Sequence, residues 1–503
     1  MLRSFLSFSV IVLFVPASRA DDERPVPREV IVLEQTVQQA IERAEPSIAC
    51  IAVSRSERYR EFEPTNANPI PGRLGKFDAR IYRNDPRANV ALQLDLSLPD
   101  HVPESYGSGV VIDASGLVLT NYHVVRDATK IFIRLPNRIG CYADVHAADA
   151  RADLAVLRML DMPRNVTALP LGDGSKLRKG SWIISLANPF SAGFRDGSPS
   201  AAWGIVSNLR RRAPVPGDQA IRIEQRIRRL SEFSTLIQTD ARLNLGCSGG
   251  ALINLEGELV GLTTSIAALV GGETAGGYAV PIDAEIAKII EVLRQGREVE
   301  YGFLGVSVAP PSPFVTETRG ISLNGVTPGS PAANAGLREN DVILKINNKP
   351  IREYDDLFLH IASALAGSEI EVEAMRNGQV RKVVVTLAKF SHPLTSIASN
   401  RGPSVHGLRV DYTSVLLDGG QRQFPHLPTG VLLRELEPGS IAETKLKPLL
   451  EGNARWIITK LNGQPVSTPA EFFRIADKAK RIELTLVDPT RPEMSPRIIL
   501  ITG

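Results

Sequence analysis

Between Gly107 and Ile282 the chain breaks into short apolar runs, each closed by turn residues, and this texture limits the fold more than any other feature of the sequence. "GSGVVIDASGLVLTNYHVV" reads as strand, Asp-Ala-Ser-Gly turn, strand. Further short runs recur at "KIFIRL", "DLAVLRM", "SWIISLA", "AWGIVSN", "ALINL", "ELVGLTTSI" and "GGYAVPI". Many short strands separated by turns specify an all-β barrel or sandwich and exclude a doubly wound α/β sheet. A helix at 284–295, "AEIAKIIEVLRQ", closes the unit. Upstream, Val37, Ile41 and Ala44 stand at helical spacing before a strand-like run, whereas 54–105 is rich in Arg, Pro, Asn and Asp and reads as a long surface loop.

The chain has 503 residues, too many for one core at about 100–200 residues per domain. Past Tyr301 an internal echo appears: "TPGSPAANAGLRENDVILKINNKPI" (327–351) and "EPGSIAETKLKPLLEGNARWIITKLNGQPV" (437–466) share a Pro-Gly-Ser-x-Ala start and an Ile-x-Lys-x-Asn-x-x-Pro strand and turn. Two related modules therefore follow the β-rich unit. The expected division is a β-rich unit over 21–300, a first module over 301–390, a Ser- and Pro-containing linker over 391–404, and a second module over 405–503.

Residues 1–20 carry Arg3, an apolar run from Phe5 to Val15, and Ser18 and Ala20 in small-residue positions, the pattern of a cleaved secretory signal. The run is shorter than the ~20 residues a membrane span needs. The chain is thus expected to be exported, periplasmic or extracellular, and membrane-anchored only if the signal stays. Its loss removes Arg3 and Arg19 and lowers the formal charge from +3 to +1, which gives nucleic acid no general attraction. Cys50, Cys141 and Cys247 show no CxxC spacing, no HExxH occurs, and no metal or other cofactor is called for.

Three segments carry chemistry together: "TNYHVV" with His123, "DARADLAVL" with Asp153, and "GCSGGA" with Ser248. Acyl transfer needs a nucleophile, a base to take its proton and an anion to hold that base. A glycine two positions before the nucleophile lets the turn aim backbone N–H groups at a developing oxyanion. The order His, Asp, Ser differs from the Ser, Asp, His order of α/β-hydrolases. Asp149 is the rival acid and His146 the rival base.

These stretches, with "ANPF", "IQTDARLNLGCSGGALINLEGELVGL" and "GYAVPID", resemble the HtrA, or Do-like, serine proteases. The resemblance implies a mostly β chain: a chymotrypsin-like double β-barrel followed by two PDZ domains. It further implies a His123, Asp153, Ser248 triad and an oxyanion hole from the Gly246, Cys247 and Ser248 amides. Ser265, Ile266 and Ala267 would line a modest specificity pocket, and Gly302, Phe303, Leu304 and Gly305 a peptide-carboxylate loop. "HGLRV" (406–410) stands at the equivalent place in the second module without the Gly-Leu-Gly texture. The family pattern has Asn where this chain has Cys247, and often Gly where it has Ala187. The Arg-rich stretch from Arg210 to Arg229 reads equally as a solvated charged loop and, by position, as resembling the family's regulatory loop. The implied activity is hydrolysis of unfolded or misfolded proteins, with PDZ domains recruiting exposed C-termini, in homotrimers or larger assemblies. The alternative is a chaperone or scaffold that binds such chains without cutting them.

Overall fold

The computed structural model describes residues 26–57, 95–98, 103–164, 166–212, 229–233, 235–264, 277–308, 320–417, 427–450, 455–491 and 493–502. The signal segment, most of the 54–105 loop, Arg222, Arg226 and Arg228, and the trio Ser265, Ile266 and Ala267 lie outside these residues. No helix among the described residues is long and apolar enough to cross a membrane.

The short runs form two six-stranded barrels. In the first, Ile139–Asp149, Lys130–Leu135, Ile48–Ser54, Ser105–Asp113, Leu117–Asn121 and Leu154–Met159 follow one another, and the last pairs back to the first. In the second, Ala251–Ile253, Leu259–Thr264, Gly277–Pro281, Leu236–Thr239, Ser200–Arg211 and Trp182–Ala187 close on themselves. Closure leaves few unpaired strand edges open to pairing with another chain. Ile48–Ser54 reads as continuous apolar sequence because every one of its residues is buried. Burying each such Ile or Val is worth about 1.5–3 kcal/mol.

Two helices clamp the barrels. Arg28–Ala44 turns Val37, Ala40, Ile41 and Ala44 onto the main core, the spacing read from sequence. Ala284–Arg294 starts where the Asp283 carboxylate accepts the Glu285 and Ile286 amides, a cap worth about 1 kcal/mol. It buries Ile286, Ile289, Ile290 and Leu293 in the same core, which continues without a break to Tyr301 and to Ala362 of the first module.

Each appended module is a sheet of the same order. The first runs Val306–Val308, Ile321–Val326, Val342–Ile346, Glu369–Arg376, Gln379–Thr386; the second runs Leu408–Tyr412, Val431–Leu436, Ile457–Leu461, Arg481–Val487, Arg497–Thr502. The sequence echo is therefore a structural duplication. Gly305 and Gly407 both have positive φ, and a Cβ on either would strike the β-carbon of a helix-capping serine, Ser330 at 2.1 Å and Ser440 at 2.3 Å.

The stretch 391–404 is not a free linker. Its residues Ser396–Ala398 pair antiparallel with Ala147–Asp149 and extend the first barrel beyond the end of Lys130–Leu135. Ser399 Oγ meets His146 Nδ1 at 2.8 Å, and the Ser399 amide donates to the His146 carbonyl. Backbone groups at an open strand edge accept any extended segment, so Ser and Pro content did not reveal this pairing. Behind it, buried Lys389 joins Glu300 and Asp411 at 2.8 and 3.2 Å and ties the two modules together.

Candidate active site

Strand Leu117–Asn121 delivers one helical turn, Tyr122–Val125, whose position is set by Asp153. The Asp153 carbonyl accepts the Tyr122 amide and the Asn121 side-chain amide, both at 3.0 Å. Its carboxylate accepts the His123 amide at 3.0 Å and meets His123 Nδ1 at 2.7 Å. These bonds hold Asp153 at φ +57, a left-handed conformation that costs a non-glycine residue about 1–3 kcal/mol. Strain of this kind persists only where its surroundings fix it. A carboxylate partner requires Nδ1 to carry the proton, so Nε2 is the acceptor face of the ring. The His123 side chain keeps 27% of its surface exposed, whereas that of Asp153 keeps 9%.

Ser248 sits in the turn between Leu236–Thr239 and Ala251–Ile253, and the first barrel grips that turn. The Ser108 amide donates to the Ser248 carbonyl at 2.8 Å, and the Ser108 hydroxyl donates to the Gly246 carbonyl at 2.7 Å. A Cβ on Gly107 would stand 2.6 Å from Val124 and 3.2 Å from the Ser248 carbonyl oxygen. The main chain of Ser248 and the residue following His123 thus face each other across a bare glycine. Gly249 has φ +83, and a Cβ there would lie 2.2 Å from the Ser108 carbonyl oxygen. These contacts explain why glycines flank the serine.

Gly246 has φ +93, and a Cβ there would collide with the Asn188 carbonyl oxygen at 2.6 Å. The Cys247 amide donates to the Asn244 carbonyl at 3.0 Å, inside the turn. Cys247 is therefore removed from the proposed oxyanion donors, because its N–H is already committed. Its side chain is buried and burial pushes its thiol pKa up, the behaviour of a small core residue. The three cysteines are unpaired with one another. Sequence reasoning gave Ser108 no role, although "GSG" was visible, because a strand hydroxyl bridging two barrels leaves no periodic mark.

The rivals are used elsewhere. Asp149 is fully buried and accepts the Tyr301 hydroxyl and, at 2.7 Å, the Ala152 amide. Burial pushes its pKa up to about 6. His146 is also buried, with Nε2 3.1 Å from the Arg294 carbonyl. Burial first and the Arg158 cation second lower its pKa. Both residues hold the joint between the catalytic unit and the segments that follow it.

The carboxylate-loop residues line a cavity of about 270 Å³ between Gly302–Val306 and helix Tyr354–Ala362. The Gly302 amide donates to the Ala364 carbonyl at 2.8 Å, so it is not among the donors facing that cavity. In the second module His406 Nε2 lies 2.8 Å from the Ala479 carbonyl, tying the loop to the end of helix Pro469–Ala476. From the Arg-rich stretch, Arg210 pairs with Asp356 and Arg212 Nε with Asp355 at 2.7 Å, on the first turn of the groove helix. Among the described residues no group of three His, Cys, Asp or Glu is placed to hold a metal ion.

A trypsin-like peptidase domain model matches residues 107–262, and a PDZ domain model matches residues 302–387. A probable periplasmic serine endoprotease DegP-like of Ectopseudomonas mendocina is 32% identical over 451 residues, covering 87% of this chain and 88% of that one. The periplasmic pH-dependent serine endoprotease DegQ of Escherichia coli is 33% identical over 355 residues, 69% of this chain and 71% of that one. A solved HtrA-type protease AlgW with tripeptide gives a TM-score of 0.48 at 26% identity, covering 71% of this chain and 98% of that one. The two sequence relatives are both named as serine endoproteases. The chain belongs to the DegP-like, HtrA-type family of serine endoproteases and is a serine-type endopeptidase.

Proposed function

We propose that Ser248 is the nucleophile, His123 its base and Asp153 the anion that orients the base. The observation that carries this is the His123 to Asp153 contact of 2.7 Å, which fixes the imidazole with Nε2 as acceptor. Ser248 Oγ attacks the scissile carbonyl while its proton passes to His123 Nε2. The oxyanion so formed is held by the Gly246 and Ser248 amides. Collapse expels the amine, which takes the proton back from His123, and water repeats the sequence on the acyl-enzyme. Asp153 stays ionised throughout and offsets the imidazolium charge.

The substrates we infer are unfolded or misfolded polypeptides, held extended across the cleft. The amides of Leu304 and Gly305 receive a peptide C-terminus in the first module, while the second serves structure or assembly as readily as peptide binding. The periplasmic relatives support an exported protein, and a homotrimer or larger assembly suits the family. Digestion of one protein in its folded and its reduced, unfolded form tests this: unfolded chain is cut and folded chain is spared. Equal digestion by Ser248→Ala protein would contradict the assignment of Ser248.

A further inference from the structure

Three successive carbonyls of the turn before Ser248 are held by residues from other segments. The Leu245 carbonyl accepts the Phe190 amide at 2.7 Å. The Gly246 carbonyl accepts the Ser108 hydroxyl at 2.7 Å, and that hydroxyl itself accepts the Asn188 amide at 2.8 Å. The Cys247 carbonyl accepts the Thr263 hydroxyl at 2.5 Å, and within the turn the Gly250 amide at 2.9 Å. In a trans peptide the carbonyl and the following N–H point in opposite directions, so a bond that fixes one aims the other. The Cys247 carbonyl and the Ser248 amide share one such unit. Thr263, at the end of strand Leu259–Thr264, therefore sets the direction of the Ser248 amide from behind. Ser108 fixes the unit before it, whose N–H is the Cys247 amide turned inward to Asn244.

Both hydroxyls are fully buried, Ser108 and Thr263 each being 0% exposed. Strand Leu259–Thr264 is buried along its whole length, and valine would fill the place of Thr263 there without the cost of desolvating a hydroxyl. We propose that Thr263 and Ser108 are positioning residues of the oxyanion hole. Thr263 aims the Ser248 amide, and Ser108 locks the Gly246 carbonyl so that the Gly246 and Ser248 amides stay on one side of the turn. Neither side chain touches substrate. Their effect is preorganisation: the donors are already aimed when charge develops on the substrate oxygen. This rests on the assignment of Ser248 and of the two hole amides made above. Removing a hole donor costs about 10²–10³ in kcat, and loosening one that remains costs less, about tenfold.

The test uses the full-length chain and Thr263→Val, which keeps the β-branched shape and leaves the Cys247 carbonyl bonded to the Gly250 amide. On an unfolded substrate kcat should fall about tenfold with KM within about twofold, and Thr263→Ser should restore kcat to within about threefold. A readout confined to the hole comes from Ala-Ala-Val chloromethyl ketone labelled with carbon-13 at the ketone. His123 Nε2 displaces chloride, Ser248 Oγ adds to the ketone carbon, and the Ser248 proton ends on the hemiketal oxygen, where NMR follows its loss as pH rises. Thr263→Val should raise the pH of that ionisation by about 1, the equivalent of a tenfold weaker hold on the oxyanion. An unchanged kcat, a loss of kcat with the ionisation unmoved, or no recovery in Thr263→Ser would overturn the proposal. If Thr263→Val shows no cooperative unfolding transition, Ser108→Ala decides by the same two readouts, with the same changes expected. Adducts on Ser248 that ionise alike in parent and variant sink this inference alone. A parent adduct on another serine overturns the assignment of the nucleophile, and this inference with it.

Discussion

Asp149 and Asp153 lie four residues apart on one loop, each near a histidine, and they serve opposite ends. Asp153 faces a half-open imidazole in the cleft, at 2.7 Å. Asp149 is sealed behind it against the Tyr301 hydroxyl, with His146 held nearby by Ser399 and Arg294. The residue types are the same in both regions. What separates them is whether the histidine has a face from which a proton can come and go. In the cleft that face is open; in the joint both ring nitrogens are occupied.

Exchange of the two histidines for alanine should part the regions most widely. His123→Ala is expected to lower kcat on an unfolded substrate by about 10⁶-fold, whereas His146→Ala should change it by less than about tenfold and lower the midpoint of thermal unfolding. Next in size, Asp153→Asn should cost about 10⁴-fold in kcat, because an amide at that place favours the wrong tautomer of His123. Asp149→Asn, which still accepts the Tyr301 hydroxyl, should leave kcat within about tenfold. If the Asp149 and His146 variants were the inactive ones, the two regions would have to exchange roles.

The smallest effect is a linkage one. Burial raises the Asp149 pKa from 3.8 to about 6, so its ionised form is disfavoured in the folded chain. Between about pH 4 and pH 6 the folded state holds the extra proton, and this group's contribution to stability falls as pH rises through that window. The fall is of order 2–3 kcal/mol. Denaturant titrations of the parent and Asp149→Asn across that window should show the difference shrinking toward acid. A difference independent of pH would mean that Asp149 titrates as an ordinary surface carboxylate.

The cleft was legible in the sequence because its parts are local. "TNYHVV" is a strand end with its turn, "GCSGG" a turn that only glycine can make, and "DLAVL" the start of a strand. The choice of Asp153 over Asp149 rested there on likeness alone. Structure supplies the physical reason, since Tyr301, far along the chain, claims Asp149. The joint was illegible for the same cause. Strand Ile139–Asp149 is interrupted by Gly140, Asp144 and His146, so its alternation is weak, and its partner Ser396–Ala398 joins through backbone groups that every residue carries. Likewise "HGLRV" announced a departure from the first module's loop, but the tie from His406 to Ala479 needed coordinates.

Covalent labelling reaches the central claim most directly. The purified chain treated with a fluorophosphonate, digested and mapped by mass spectrometry should carry the adduct on Ser248, with labelling abolished in Ser248→Ala and strongly slowed in His123→Ala. An adduct at another serine, or unchanged labelling in the Ser248→Ala protein, would contradict the assignment of the cleft.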